Sequence, residues 1–347
     1  MKSENKFHTA VIISGENPDL AIGELKAIME IYNISYELFV DGLIVIVASS
    51  QPVLQIIKKR AALSILVGNL LFVAESISEF ENNLKHYSFD FIKKTDSFAV
   101  RINKLKKSNY NSEILERKFG RIIKDKTGSI VSLTSPKYLF YVTISSKFYL
   151  IVNPTNTFRK IIFYDKMSKL KCPHPSVMNP ILSVVMINLA RASENSVVFD
   201  PFCGVGGIGA RAIKLGIKFI GMDIMYNMVS CAMKNIGNNS LVSIIQGDAR
   251  FLPLMNITHV VCDPPYGRSS STKNRNPLYL LENFISELSK YLENNGFACI
   301  VFSANILTND ILDKILMKYR NIKLVENYFV YVHSGLTRRV MVFKKKE

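Results

Sequence analysis

Residues 260–266, Val-Val-Cys-Asp-Pro-Pro-Tyr, set a carboxylate, two prolines and an aromatic ring at the end of a short apolar run. Proline lacks the ladder N–H and pushes the residue before it toward extended geometry. Asp263-Pro264-Pro265-Tyr266 therefore reads as a rigid corner that closes a strand. Such a corner suits one difficult reaction. The exocyclic amine of a nucleobase is a poor nucleophile, because its lone pair is delocalised into the ring. Asp263 and the Pro264 carbonyl can accept its two N–H bonds and favour a more tetrahedral nitrogen, while Tyr266 stacks on the base. Catalysis would then be positioning plus charge complementarity. In a paired nucleic acid the nucleotide must first be flipped out. Taken alone, Asp-Pro-Pro is equally a strand-terminating turn.

A second cluster supplies a partner for that amine. In "VVFDPFCGVGGIGAR" the residues from Gly204 to Gly209 match GxGxxG, and Asp223 lies 19 positions past Gly204. The same pattern is the dinucleotide fingerprint, so an oxidoreductase using a nicotinamide or flavin fits it too. Asp200 argues otherwise, since its charge would repel a pyrophosphate resting on the glycine turn. S-adenosylmethionine (SAM) has no phosphate and carries an ammonium group that a carboxylate attracts. Asp223 suits either ligand, as an acceptor for ribose hydroxyls. Asp248, in "QGDAR", is placed to accept from an adenine amino group or to cap a helix.

These residues need strand ends to hold them, and the second half of the chain offers a regular alternation. Strands expected at about 196–200, 217–222, 242–246, 258–262 and 297–302 alternate with helices, which predicts a doubly wound, Rossmann-like α/β domain with its ligands at the strand ends. Runs at 322–332 and 338–344, joined by "HSGLTRR", predict a closing antiparallel pair. Further upstream, strands near 8–14 and 42–48, a helix after Asn17-Pro18-Asp19 and another near 51–60 suggest a small α+β unit. From about residue 97 a strand, an amphipathic helix and a strand pair follow, with Ile114, Leu115, Phe119, Ile122 and Ile123 on the helix's apolar face. The proline-rich stretch beginning at Asn153 reads as a linker.

At 347 residues, 48% of them apolar, the chain has material for two or three cores. Its net charge of +16 is concentrated: residues 101–147 carry eleven Lys or Arg against three acids, or +8. Such density points to a phosphate backbone, with Lys104, Lys106, Lys107, Arg121 and Lys124 as candidates. The run Ala61–Ala74 is too short and too interrupted to span a bilayer, and the first residues do not read as a signal peptide, so a cytoplasmic protein is expected. Five cysteines without a CxxC pair and five scattered histidines predict reduced thiols, no disulfide and no metal site.

Together, "MNPILSVVMINLA", "DPFCGVGGIGARA", "GDARFLPL", "DPPYGRSSS" and "HSGLTRRV" resemble the archaeal tRNA guanine-N2 dimethyltransferases acting on guanine 10. These are class I SAM-dependent methyltransferases, and the likeness covers about residues 173–347. Where the family often has Thr, this chain has Val205, losing a hydroxyl beside the cofactor loop. The resemblance implies a ferredoxin-like domain over 1–72, a THUMP RNA-binding domain over 73–152, a linker over 153–172 and the methyltransferase domain over 173–347. It also implies cofactor contacts from Asp200, Phe202, Gly204, Gly206, Gly207, Asp223, Ile224, Asp248 and Ala249, with Asp263, Pro264 and Tyr266 on the target base. The helix near Asn179-Pro180 would cover the cofactor or simply pack on the sheet, and Arg268 would meet RNA near the flipped base. The implied partner is tRNA, for a monomer with no obligate protein partner, no metal and no membrane. Two alternatives remain open on the residues: an amine methyltransferase for another RNA position or for adenine in DNA, and a catalytically silent RNA-binding protein.

Overall fold

The computed structural model describes residues 6–164, 170–175, 177–237, 239–266 and 276–346. Its contacts divide the chain into two units: residues 1–22, 34–59 and 63–160 form the first, and residues 23–33, 60–62 and 161–347 the second.

In the first unit the strands are β1 (Phe7–Ile13), β2 (Tyr36–Asp41), β3 (Ile44–Ser49), β4 (Ser64–Ala74), β5 (Ser97–Lys104), β6 (Ile130–Val131), β7 (Tyr138–Ile144) and β8 (Phe148–Asn156). They form one sheet in the order β2-β3-β1-β4-β8-β7-β5-β6. The boundary expected at residue 72 falls inside β4, which pairs with β1 on one side and β8 on the other. The run that looked like a linker from Asn153 instead completes β8 and continues into a helix, Phe158–Tyr164. Helices α1 (Pro18–Ile31) and α2 (Leu54–Arg60) precede α3 (Ile77–His86) and α4 (Ser112–Thr127), and the helix at Phe158–Tyr164 is α5.

Helix α4 is built from local signals. Asn111 accepts from the Ile114 N–H at the N-terminus, and Gly128 ends the helix in the left-handed region at φ 67°. Leu115, Phe119 and Ile123 are buried in a core with Phe80, Phe98 and Phe140. Ile114, expected on that apolar face, is 62% exposed, because it stands at the helix start one position off the buried stripe.

The second unit carries α6 (Pro180–Leu189), β9 (Val197–Asp200), α7 (Gly207–Lys214), β10 (Lys218–Asp223), α8 (Tyr226–Ile236), β11 (Val242–Gln246) and β12 (Ile257–Cys262). It continues with α9 (Pro277–Tyr291), β13 (Leu292–Ser303), α10 (Asn309–Lys318), β14 (Ile322–His333) and β15 (Leu336–Lys345). The sheet order is β11-β10-β9-β12-β13-β15-β14, parallel from β11 to β13 and antiparallel beyond. This is the doubly wound sheet with a closing antiparallel pair that the alternation predicts. Chain order reverses between the neighbours β9 and β12, the place where open α/β sheets open a crevice for ligands.

The cysteines depart from expectation: Cys172 and Cys231 form a disulfide with their Cα atoms 5.4 Å apart, while Cys203, Cys262 and Cys299 are free and buried. Their separation of 59 residues matches no spacing pattern, so the pairing left no trace in the sequence. Among the described residues, no cluster of His, Cys, Asp or Glu could hold a metal, and no helix is long and apolar enough to cross a membrane.

Candidate active site

A cleft of about 1300 Å³ opens at the β9–β12 reversal and is lined throughout by residues of the second unit. Asp200 ends β9, Asp223 ends β10 and Asp263 follows β12, so the parallel strands deliver three carboxylates to one edge of the sheet. All three line the cleft, as do Phe202, Gly204, Gly207, Ile224, Asp248, Ala249, Pro264 and Tyr266. Thus the expected cofactor and base residues converge, apart from Gly206, which does not line the cleft.

Gly204 and Gly206 adopt φ values of 50° and 84°, which side chains rarely tolerate. A Cβ on Gly204 would meet nothing within 4 Å, whereas one on Gly206 would come within 2.9 Å of Ile236 Cδ1. The first glycine therefore keeps the cleft open, and the second lets α7 start against α8. Asp223 secures the same turn: its Oδ2 accepts from the Gly204 N–H at 3.0 Å, and its Oδ1 from the Met225 N–H at 2.9 Å.

Electrostatics favours a cationic guest. Burial pushes the Asp200 carboxyl well above the ordinary carboxylate range, against the Phe202 N–H at 3.0 Å, and the charges of Asp223 and Asp263 push it further. Burial likewise raises Asp223, against the N–H groups of Met225, Gly204 and Ile224. At Asp263 burial pushes the carboxyl up to about 6, against the pull of Arg338 and the Tyr266 hydroxyl. A ligand bearing an ammonium or sulfonium would favour the ionised form of these carboxyls, while a pyrophosphate would oppose it.

Asp248 takes neither form the sequence suggested in full. It caps no helix; it makes a turn, accepting from the Arg250 N–H at 3.0 Å, and its carboxylate is paired with the Arg250 side chain. An adenine amino group would have to share those oxygens with Arg250. Helix α6 also differs from the covering role considered for it. Residues Leu182–Leu189 are buried and none lines the cleft; His174, Pro175, Val177 and Met178, just before the helix, do so instead.

At the Asp263 end of the cleft, the Tyr266 ring packs on Phe302 with centroids 5.1 Å apart, and its hydroxyl accepts from Arg338 Nε at 3.1 Å. Asp263 Oδ1 is buried with no hydrogen-bond partner among the described residues. A buried acceptor left empty costs free energy, so this oxygen is available to a further donor, such as an N–H of a bound ligand. Asn305, Arg250 and Arg338 also line the cleft and were not singled out from sequence.

The proposed RNA contacts lie in the first unit. Lys104 ends β5, Lys106 and Lys107 follow it, and Arg121 and Lys124 stand on α4; all five are exposed. They form a trail rather than one spot, because α4, at 16 residues, is about 24 Å long. The Arg268 expectation lies outside the described residues.

Comparison with known proteins places the chain among methyltransferases. The family model described as "RMKL-like, methyltransferase domain" matches residues 169–338. A model described as "DNA methylase" matches residues 41–234, ending before Asp248 and Asp263. A protein of Methanocaldococcus jannaschii named tRNA (guanine(10)-N2)-dimethyltransferase is 31% identical over 96% of this chain and 99% of its own length. One of the same name from Methanothermobacter thermautotrophicus is 27% identical over 96% of this chain and 98% of its own. Among solved structures, TrmN from Thermus thermophilus aligns with a TM-score of 0.54 at 17% identity, covering 97% of this chain and 99% of that one, a likeness of fold.

Proposed function

The chain belongs to the tRNA (guanine(10)-N2)-dimethyltransferase family, and we propose that it methylates the exocyclic N2 amine of a guanine in tRNA, at position 10 as its relatives' name states. SAM fits the cleft: the buried Asp200 and the half-buried Asp223 and Asp263 suit its cationic groups, and the open space at Gly204 admits a ligand against the loop. When bound, SAM supplies an electrophilic methyl on sulfur, and the amine lone pair forms the N–C bond as the C–S bond breaks to leave S-adenosylhomocysteine. Asp200 and the loop through Phe202, Gly204, Gly206 and Gly207 would hold the methionine part. Asp223 with Ile224 would hold the ribose, and Asp248 with Ala249 the adenine.

The chain's own part in the transfer is to hold the amine. Asp263 and the Pro264 carbonyl accept its two N–H bonds, and Tyr266 orders the base. As the nitrogen gains a fourth bond its proton becomes acidic, and the ionised Asp263, already accepting from that N–H, can take it. Recognition of the polyanion falls to the trail of Lys104, Lys106, Lys107, Arg121 and Lys124, since phosphate contacts position and base contacts specify. Residues 1–72 and 73–152 would then act as the ferredoxin-like and THUMP parts of one RNA-binding sheet, and the protein as a cytoplasmic monomer.

The buried Asp263 Oδ1 beside Tyr266, without a partner among the described residues, is the observation that carries this reading. Incubation with methyl-labelled SAM and unmodified tRNA, followed by nucleoside mapping, should place label in N2-methyl- and N2,N2-dimethylguanosine at one position. Label in N6-methyladenosine, or only in ribosomal RNA, would overturn it.

A further inference from the structure

The run His333–Val340, HSGLTRRV, belongs to the closing hairpin and takes no part in the chemistry described so far. Alternation along β15 separates its two arginines. Arg339 turns to the Asn327 side chain and the Leu307 carbonyl, whereas Arg338 lines the cleft. There Arg338 Nε donates to the Tyr266 hydroxyl at 3.1 Å, and a terminal nitrogen stands 3.9 Å from Asp263 Oδ2. We infer that Arg338 is a positioning residue for methyl transfer: its guanidinium fixes the Tyr266 ring and keeps the Asp263 carboxylate charged and able to accept the target amine. This inference rests on the methyl-transfer reading above.

Two arrangements support it. First, Tyr266 is gripped from two directions, by Phe302 of β13 and by Arg338 of β15, and these strands are neighbours with Ser303 opposite Arg338. A ring held so can present one orientation to a base. Second, Asp263 sits in surroundings that oppose its charge. Burial is the chief cause; the acids near it are Asp200 at the end of β9, which the charge of Asp263 pushes up, and Asp223 of β10, which also acts on Asp200, and Cys262 beside it is buried and neutral. Among the described residues, Arg338 is the cation acting on Asp263. Without it the carboxyl would hold its proton at neutral pH and present an O–H where the amine presents an N–H. With its side chain only 17% exposed, Arg338 is poorly placed to serve as a surface contact for the phosphate backbone.

The test compares Arg338→Gln, which removes the charge, with Arg338→Lys, which keeps it, in the full-length chain. Each variant is assayed for SAM affinity and for kcat against pH with unmodified tRNA. For Arg338→Gln the acidic limb of the kcat profile should move upward by about 1–3 pH units, the usual effect of losing an adjacent cation. Activity lost at pH 7 should then return at higher pH, with SAM affinity within a few-fold of the parent. For Arg338→Lys the limb should stay where it is. An unmoved limb in Arg338→Gln, or loss of tRNA affinity and salt dependence in its place, would overturn the inference and make Arg338 an RNA contact. Should Arg338→Gln fail to bind SAM, Arg338→Lys decides alone: a limb displaced despite the retained charge counts against the inference. Absence of methyl transfer by the parent protein would instead refute the methyl-transfer reading itself.

Discussion

Asp263 and Asp223 are both half-buried carboxylates at strand ends, yet they face different partners, and substitution should separate them. Asp263→Ala removes the acceptor proposed for the target amine, so kcat should fall by about 10²–10³ while SAM affinity stays within a few-fold. Asp223→Ala releases the Gly204 and Met225 N–H groups that hold the cofactor turn, so SAM affinity should fall first. Calorimetric titration with SAM beside single-turnover methylation tells the two apart, and equal loss of binding and turnover in Asp263→Ala would make that residue structural. Asp263 also carries a pH-dependent stability term. Its carboxyl is raised to about 6 in the folded chain, so its contribution is fully present below the unfolded value near ~3.9 and is lost as pH rises through about 6. Asp263→Asn escapes that loss, so above pH 6 it should be more stable than the parent, by on the order of 2 kcal/mol, and almost inactive. Denaturant unfolding of the SAM-free proteins at pH 5 and pH 8 measures this; a variant less stable at pH 8 would contradict the electrostatic account.

At the scale of elements, legibility followed the strength of the local pattern. The parallel strands of the second unit stand within a residue or two of their expected positions at β9, β10, β11 and β12, because buried apolar runs punctuated by Gly, Asp and Pro are unambiguous. Strand β2 and helix α3 escaped notice. β2 alternates weakly at a sheet edge, but α3 did carry a signal, Ser76-Ile-Ser-Glu79, in which Ser76 accepts from the Glu79 N–H. Arg338 was equally findable, since strand alternation in Thr-Arg-Arg must turn one arginine toward the site. The disulfide and the Asp248–Arg250 pairing were not, for both depend on tertiary placement that no spacing encodes. Helix α4 shows how fine the distinction can be, and it makes a prediction. Phe119→Ala should cost about 3–5 kcal/mol, as a large buried aromatic does, whereas Ile114→Ala, at 62% exposure, should fall within about 0.5 kcal/mol of the parent. Comparable losses at both positions, by denaturant unfolding, would mean the apolar face is as wide as the sequence alone suggested.

For the whole molecule the question is where affinity for tRNA resides, and the fold dictates how to ask it. Cutting the chain at residue 173 looks like the direct experiment. The second unit, however, includes residues 23–33 and 60–62. Arg60, 1% exposed, donates to Asn188 Oδ1 at 2.9 and 3.0 Å and to the Ala192 carbonyl, and Asn188 Nδ2 donates to Glu24 at 2.9 Å. Truncation would strand the buried Asn188 amide, costing about 1–3 kcal/mol for each unsatisfied group, and would confuse misfolding with lost recognition. Charge neutralisation in the full chain avoids that. Lys106, Lys107 and Lys124 are exposed and stand at two places along the trail, so replacing all three with Gln should leave folding and SAM affinity unchanged. Affinity for tRNA should weaken, and the slope of log K against log salt should flatten by roughly 0.7–0.9 for each phosphate that these lysines no longer neutralise. Because phosphates are bound without regard to sequence, affinity for a non-substrate RNA should weaken in parallel. An unchanged salt slope would mean that these lysines face solvent only, and that the polyanion is held by other cations of the chain.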